Sequence, residues 1–258
     1  RKMISACVSG RIAVAASSPG RSPCGFWPMP DDDLARHSLA WLASAACAGV
    51  SLHGRACIDR TAARSMLADW VARGHPLIVT RQPDDAGNRV ALGLALPPKQ
   101  GKFRLGFLVD RSAITRIAPA PTLAEAGDCL PSAWAPKIAA LLASSAIGAA
   151  APRVYGSAAM QMHSGEPCVA AGSDLDLSLA PATWPAVQAV LATLANIDSS
   201  LPGPRIDGEI LASDGGAVAW RELRDEPAKV LVKRLRGVDL EATANFRAAF
   251  SPAARHAA

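Results

Sequence analysis

The sequence predicts an α+β fold in which two successive domains each combine a β-sheet with helices. Three observations predict this arrangement. The chain has 258 residues, 50% of them hydrophobic, which is enough for one large domain or two small ones. Helical apolar spacing gives way to strand-like segments in each half of the chain. A region rich in proline and alanine near residues 119–136 separates the halves. We therefore predict a small α+β domain over residues 31–125 and a second domain over 131–245, whose mixed sheet is flanked by helices, with residues 1–30 as a disordered extension.

The distribution of charge argues against a nucleic-acid-binding protein, although the formal net charge is +5. Residues 1–30 carry 4 basic and no acidic residues, residues 31–150 carry 13 basic and 10 acidic, and residues 151–258 carry 10 basic and 12 acidic. A soluble protein with a basic tail is the simpler interpretation. The sequence contains no uninterrupted run of about 18 apolar residues, so we expect no membrane span.

The six cysteines are scattered and include no C-x-x-C pair, a pattern typical of neither a zinc site nor a dense disulfide framework. They are Cys7, Cys24, Cys47, Cys57, Cys129 and Cys168. We interpret them as reduced thiols of a cytoplasmic protein, and Cys168 as a packed thiol rather than a nucleophile. Residues 1–30 faintly resemble a secretory leader, but Arg11 interrupts the apolar region, which favours a disordered extension.

In the first domain, two predicted helices precede a set of strands. Residues 34–42, directly after three aspartates, have the apolar spacing of a short amphipathic helix. Thr61 is a candidate N-cap for a second helix that ends at Gly74. Its predicted buried face consists of Met66, Leu67, Trp70 and Val71. Strands are predicted at residues 76–80, 90–96, 103–109 and 114–117, with a turn at 84–88.

The second domain begins with an alanine-rich helix over about residues 137–147, which Gly148 ends. Thr183 caps a longer helix whose first turn tolerates Pro185. Its apolar stripe consists of Trp184, Val187, Leu191 and Leu194. Strands are predicted at residues 154–155, 174–179, 205–211, 217–220 and 230–232.

The most informative pattern is a Gly156-Ser157 pair, a spacer of 15 residues, and then Ser173 followed by Asp174 and Asp176. Successive side chains of a strand point to opposite faces, so the two aspartates share one face and the intervening leucines point into the core. Two such carboxylates suit Mg²⁺, with Mn²⁺ as a second candidate, because these ions take oxygen ligands and also bind substrate phosphates. The Gly-Ser turn offers backbone N–H groups to phosphate oxygens.

A third carboxylate is expected on an adjacent strand. Asp207 is the first choice, although it could instead be an exposed edge-strand acid, and Glu209 is the reserve. Ser157, whose alternative role is a plain helix N-cap, joins Gly156 and Ser173 as a predicted substrate-binding residue. Lys233 completes that set as a cation for the leaving phosphate, although it could be an ordinary surface cation. His163 lies between these motifs and is interpreted as polar surface.

The chemistry that this arrangement predicts is nucleotidyl transfer to a hydroxyl group. Negative charge develops on the transferred phosphate and on the departing diphosphate, and two metal ions can stabilise the attacking and the leaving oxygens. The protein then supplies the three carboxylates Asp174, Asp176 and Asp207 and positions the reactants. The chain contains no G-x-S-x-G, Walker-type or G-x-G-x-x-G sequence that would support another reaction.

These residues resemble the malonate decarboxylase holo-acyl-carrier-protein synthases, which are phosphoribosyl-dephospho-CoA transferases with a nucleotidyltransferase fold. The motifs that carry the resemblance are Gly156-Ser157, Gly165-Glu166-Pro167, Ser173 to Leu177, Arg205 to Glu209 and Val230 to Lys233. The upstream half agrees through Arg36-His37-x-Leu39-x-Trp41-Leu42, Trp70-Val71, Pro76 to Val79 and Ala91 to Leu94. The resemblance covers roughly residues 34–240, while residues 1–30 match nothing in the family and 49–60 look like an insertion.

The resemblance implies the reactants. The donor would be 2′-(5″-triphosphoribosyl)-3′-dephospho-CoA, the acceptor a serine of the acyl-carrier subunit of malonate decarboxylase, and the second product diphosphate. Asp174 and Asp176 carry over as the metal-binding pair. The amino-terminal domain could dock the carrier, which as an acidic protein would suit the positive balance of residues 31–150.

Three other functions stay open at this point. The same transfer could serve the carrier protein of citrate lyase, which uses the same donor. A nucleotidyltransferase could act on a small molecule or on RNA, although the slightly acidic carboxyl-terminal half disfavours RNA. A non-catalytic module with this fold could bind nucleotides, but such modules commonly lose a carboxylate, whereas both aspartates and a third acid are present here.

Overall fold

The computed structural model describes residues 34–54, 58–101 and 103–251, and within them it confirms the α+β fold. The predicted disordered extension over residues 1–30 lies outside this range. The strands are β1 (Leu39–Leu42), β2 (Ser51–His53), β3 (Leu77–Val79), β4 (Arg89–Ala95), β5 (Arg104–Asp110), β6 (Ile114–Ala118), β7 (Arg153–Val154), β8 (Leu175–Leu179), β9 (Ile206–Leu211), β10 (Ala217–Ala219), β11 (Lys229–Lys233) and β12 (Val238–Ala242). The helices are α1 (Arg60–Ala72), α2 (Leu123–Gly127), α3 (Ala135–Ala143), α4 (Ser145–Ala149), α5 (Gly156–Ser164), α6 (Trp184–Ser200), α7 (Trp220–Arg224) and α8 (Thr243–Ala248).

The strands form two six-stranded sheets, one in each half of the chain. The amino-terminal sheet has the order β2-β5-β4-β3-β1-β6, and its strand pairs are antiparallel. Helix α1 buries Leu67 and Trp70 in the core of this half, and the Trp70 indole N–H donates to the Pro76 carbonyl at 2.8 Å. The buried indole therefore keeps a hydrogen-bond partner, as a desolvated polar group requires.

Two local predictions in this half are wrong. Residues 34–42 do not form a helix, because Leu39–Leu42 is strand β1, hydrogen-bonded between β3 and β6. Strands distant in sequence hydrogen-bond to the backbone of β1, and its Leu39 and Ala40 side chains are buried. These tertiary contacts override the local helical spacing of the apolar residues. Helix α1 begins one residue before Thr61, and the carboxylate of Asp59 caps it by accepting from the N–H groups of Thr61 and Ala62.

The carboxyl-terminal sheet has the order β12-β11-β10-β9-β8-β7 and is mixed, as predicted. Strands β8 and β9 are parallel, and α6 forms the crossover between them. The single helix predicted over residues 137–147 is wrong, because Ser144 adopts an extended conformation and its hydroxyl caps α4. A serine that bonds the backbone in this way ends one helix and starts the next.

Helix α5 packs against both halves of the molecule. Its Met160 is buried within the amino-terminal core, whereas Ala158 is buried within the carboxyl-terminal core. Backbone contact continues at the junction, where the Gln82 N–H donates to the Leu235 carbonyl at 2.8 Å. The residues that flank α5 therefore lie at the junction of the two sheets. None of the helices described here combines the length and apolar character that crossing a bilayer would require.

Candidate active site

Parallel pairing of β8 and β9 brings the predicted carboxylates together. Asp176 and Asp207 are direct register partners across the two strands, and Asp174 immediately precedes β8. Leu175 and Leu177 are fully buried on the opposite face, as the strand alternation predicts. Two aspartates on neighbouring strands and a third directly before β8 thus lie together in one cluster.

Gly156 lies directly against Asp176 at the start of α5. Its backbone φ of +64° is in the left-handed region, and a methyl group at its Cα would overlap the Oδ2 atom of Asp176. Only glycine combines this backbone conformation with this close approach. The Tyr155 N–H also donates to the Asp176 carbonyl oxygen at 3.1 Å, which fixes the turn beside β8. The Gly-Ser and Asp-x-Asp motifs, which are separate in the sequence, are therefore in contact in the folded protein.

A cavity of about 680 Å³ opens between the two sheets. Six of the residues predicted for the site line it: Gly156, Ser157, Ser173, Asp174, Asp176 and Asp207. Tyr155, the N-cap of α5, makes no side-chain cap, so the first backbone N–H groups of this nine-residue helix have no capping acceptor from that side chain. The cavity therefore combines carboxylates with the positive end of a helix, a pairing that suits a polyphosphate and its cation.

The electrostatics of the three aspartates are those of a crowded acidic cluster. Burial, together with the charges of Asp207 and Asp174, raises the pKa of Asp176 to about 6. The guanidinium of Arg205 partly offsets this charge, because its Nη2 atom lies 2.9 Å from Asp174 and 3.3 Å from Asp207. The Asp176 carboxylate has no side-chain hydrogen bond or ion pair among the described residues.

Magnesium is the cofactor that the sequence predicts, and the donor set suits it because all three side chains offer carboxylate oxygens. The raised pKa of Asp176 marks negative charge that a cation would relieve. As the side chains are placed, no group of three or more potential ligand residues within residues 34–54, 58–101 and 103–251 converges on one point. Arg205 instead bridges two of the carboxylates. The residue types fit the ion, and magnesium binding stays a prediction.

Glu209 and Lys233 lie outside the lining of this cavity and contact each other. The Glu209 side chain, only 6% exposed, accepts from Lys233 Nζ at 2.9 Å, forms an ion pair with Arg36 at 3.1 Å and lies 3.3 Å from His37 Nε2. Burial alone would raise the pKa of Glu209, but the hydrogen bond with His37 and the charge of Arg36 outweigh burial and lower it. Glu209 is therefore an ionised anchor that joins the two halves of the molecule.

His37 lies at the cavity, although no sequence pattern predicted a role for it. Its φ of +69° is unusual for a residue other than glycine, and its ring stacks on Tyr155 with centroids 3.8 Å apart. Burial lowers its pKa despite the hydrogen bond to Glu209, which favours the neutral ring. The motif Arg36-His37 was visible in the sequence, but nothing local indicated that it would reach residues about 170 positions away.

Cys168 occupies a position that matches its interpretation, whereas His163, interpreted as polar surface, is half-buried in α5. Cys168 is buried at the cavity, and burial raises the pKa of its thiol, which favours a packed thiol over a nucleophile. His163 packs edge-on against Trp41, with ring centroids 5.9 Å apart. Ser173 Oγ accepts from the Ala170 N–H at 3.0 Å and so shapes the loop before Asp174.

Comparison with known proteins covers nearly all of the described chain. The family model of the phosphoribosyl-dephospho-CoA transferase MdcG N-terminal domain matches residues 35–120, and that of the C-terminal domain matches residues 122–244. No solved structure matches the chain.

Several curated relatives carry the name phosphoribosyl-dephospho-CoA transferase. One from Xanthomonas campestris pv. campestris (strain 8004) is 36% identical over 206 residues, which cover 80% of this chain and 92% of the relative. One from Bradyrhizobium diazoefficiens is 34% identical over 219 residues, covering 85% and 93%. One from Xanthomonas euvesicatoria pv. vesicatoria is 37% identical over 199 residues, covering 77% and 89%.

Proposed function

Because the chain belongs to the phosphoribosyl-dephospho-CoA transferase family, a family of enzymes, we propose that it loads the acyl-carrier subunit of malonate decarboxylase. The donor is 2′-(5″-triphosphoribosyl)-3′-dephospho-CoA, and the acceptor is a serine hydroxyl of the carrier. The observation that supports this proposal best is the cavity in which three aspartates face the positive end of α5. A triphosphate needs both a cation held by carboxylates and backbone N–H donors.

In the proposed step, the serine oxygen forms a bond to the α-phosphorus of the donor. The bond between that phosphorus and the oxygen bridging to the β-phosphate breaks, diphosphate leaves with the bonding electron pair, and the serine proton is released to water. Mg²⁺ held by Asp174, Asp176 and Asp207 would supply positive charge to the phosphate oxygens when bound. The backbone N–H groups of Gly156 and Ser157 orient the phosphates.

The chain also restricts the movement of the side chains and backbone that form the site. Gly156 allows α5 to begin in contact with Asp176, so the helix end and the carboxylate lie side by side in the cavity. Arg205 bridges Asp174 and Asp207 and so holds them in place. Precise placement of this kind is a large part of catalysis in phosphoryl transfer, where the protein performs little covalent chemistry.

The test mixes purified protein, Mg²⁺, donor and apo carrier, and then weighs the intact carrier by mass spectrometry. We expect a mass increase equal to the donor less diphosphate. Asp174→Asn and Asp207→Asn should each lower the rate at least about 100-fold, whereas Asp84→Asn, in an exposed turn outside the cavity, should not.

The same assay separates the acceptors. Apo carrier of malonate decarboxylase should gain mass faster than apo carrier of citrate lyase at equal concentrations. Faster modification of the citrate lyase carrier would overturn the proposed acceptor but not the transfer. If neither carrier gains mass, or if Asp174→Asn transfers at the wild-type rate, the proposed reaction is wrong.

A further inference from the structure

Part of the cavity lining belongs to the amino-terminal sheet. Ile78 from β3, Leu94 from β4, and Phe103 with Arg104 at the start of β5 form this part of the lining. The cavity is therefore lined by both halves of the molecule, and the three aspartates account for the lining from only one of them. A ligand in a space of about 680 Å³ would contact both parts of the lining.

Arg104 is the only arginine or lysine among the described residues that line the cavity. It is the first residue of β5, where it pairs with Ala95, and its side chain is exposed. Arg104 lines the same cavity as Asp174, Asp176 and Asp207. The guanidinium therefore lies within electrostatic range of the aspartates.

Arg104 nevertheless has no ion pair or side-chain hydrogen bond with any residue that the structure describes. Arg205, in contrast, bonds both Asp174 and Asp207 and so serves the carboxylates directly. An arginine beside an acidic cluster that does not close onto it keeps its five N–H donors for another anion. The guanidinium fork matches phosphate oxygens in geometry, which makes Arg104 a suitable group for a polyphosphate ligand.

We propose that Arg104 binds the triphosphate of the donor, so that the amino-terminal sheet forms half of the donor site. This inference rests on the proposed function, because it takes the donor from that reaction. It differs from a role of the amino-terminal domain in docking the carrier. In that case the interacting arginine would be expected on an outer face rather than in the cavity that Asp176 also lines.

The test compares Arg104→Gln with Arg89→Gln. Arg89 is an exposed arginine at the start of β4 that does not line the cavity, so it controls for the loss of one positive charge from the same sheet. In steady-state transfer, Arg104→Gln should raise the KM for the donor roughly 10- to 100-fold and leave the KM for the carrier unchanged. Arg104→Lys, which keeps the charge but not the fork, should fall between wild type and Arg104→Gln.

Calorimetry supplies a readout that does not need catalysis. Arg104→Gln should weaken binding of inorganic triphosphate in the presence of Mg²⁺ at least about fivefold, and leave binding of dephospho-CoA, which lacks the triphosphoribosyl group, unchanged. The Arg89→Gln variant should match wild type with both probes. An Arg104 that contacted only the nucleotide part would show the reverse pattern and overturn the proposal.

Failure of this inference can be told apart from failure of the proposed function. If wild type loads the carrier and Arg104→Gln has a donor KM within twofold of wild type, Arg104 is not a donor-binding residue and the transfer reaction stands. If Arg104→Gln raises only the carrier KM, the residue docks the acceptor and the inference is wrong. If wild type loads no carrier, the proposed function fails, and the calorimetric comparison with triphosphate decides the role of Arg104 alone.

Discussion

Replacing Asp176 by asparagine should make the protein more stable while it removes activity. The carboxylate is half-buried beside Asp174 and Asp207, and burial followed by those two charges raises its pKa to about 6. No described residue gives it a hydrogen bond or an ion pair that the substitution would break. Asparagine has nearly the same shape, so Asp176→Asn removes one repelling charge and little else.

The expected magnitude follows from the pKa. A folded-state value of about 6 against a reference value of 3.8 corresponds to about 3 kcal/mol of unfavourable free energy when the group is ionised. The side chain is partly exposed, and solvent screening lowers the expected gain to about 1–2 kcal/mol. For a protein of this size, the gain should raise the melting temperature at pH 8 by about 2–6 °C.

The sign of the pH dependence is fixed by the direction of the pKa shift. Because the folded-state pKa lies above the unfolded-state value, the folded protein binds more protons between pH 4 and 6, and wild type loses stability as the pH rises through this window. The stability gap between Asp176→Asn and wild type should therefore be largest at pH 8 and shrink towards pH 4.5. Thermal denaturation followed by circular dichroism at both pH values measures it, with Asp84→Asn as the control for a lost surface charge.

Two results would refute this reasoning. A variant less stable than wild type at pH 8 would show that the carboxylate makes a favourable contact rather than a repulsive one. A gap that is equal at pH 4.5 and pH 8 would show that titration of Asp176 does not cause it. Mg²⁺ provides a further check, since a cation bound by the aspartates should raise the melting temperature of wild type more than that of Asp176→Asn.

Three other substitutions test the placement of the site. Gly156→Ala should lower carrier loading at least about 100-fold and destabilise the fold by about 1–3 kcal/mol, because its φ is positive and the methyl group overlaps Asp176; intact-mass kinetics at the wild-type rate would contradict this. Lys137→Met should lower the free energy of unfolding in urea by about 3 kcal/mol, because the buried ammonium donates to the Asp198 carboxylate at 3.0 Å; a change below about 1 kcal/mol would show that the pair contributes no more than a surface one. Glu209→Gln should destabilise the protein by about 2–4 kcal/mol at pH 7 by leaving nearby cations unpaired. Because the pKa of Glu209 is lowered in the folded protein, the difference in stability from wild type should shrink as the pH falls below about 4.5. A difference in stability that does not depend on pH would contradict this prediction.

The aspartates could be predicted from the sequence because their arrangement follows from local periodicity. Asp174 and Asp176 are two residues apart in a segment of alternating leucines, and a strand puts such residues on one face. Asp207 alternates in the same way with Ile206 and Gly208 in the next strand. Only the register between the two strands had to come from the structure, where Asp176 pairs with Asp207.

Strand β1 could not be predicted in this way because its structure depends on partners far along the chain. Residues Leu39–Leu42 carry apolar side chains at spacings that fit a helix as well as a strand. The pairing with β3 and β6 decides between them, and those strands lie about 35 and 75 residues further on. A short segment without distinct periodicity is assigned by its tertiary contacts, which a local pattern does not contain.

The amino-terminal contribution to the site could not be predicted from the sequence for the same reason, because it depends on contacts between residues far apart in the chain. His37 contacts Glu209 and Tyr155 across the junction of the two sheets, and Arg104 lines the same cavity as Asp176. Neither residue belongs to a pattern that indicates a ligand. The sequence therefore indicated one wall of the cavity well and gave no sign of the other.

The acidic residues near the junction of the two sheets differ in whether cations already pair with them. Glu209 is buried, and Arg36 and Lys233 already occupy its oxygens, so a metal ion would have to displace two cations to reach it. Asp176 is repelled by its neighbours, and the only described cation that bonds the cluster, Arg205, bonds the other two aspartates. The reserve ligand of the sequence analysis is thus the acid least able to accept a cation. The ion pairs of Glu209 therefore join the two halves of the molecule, while the three aspartates keep the negative charge that the cation of a polyphosphate complex requires.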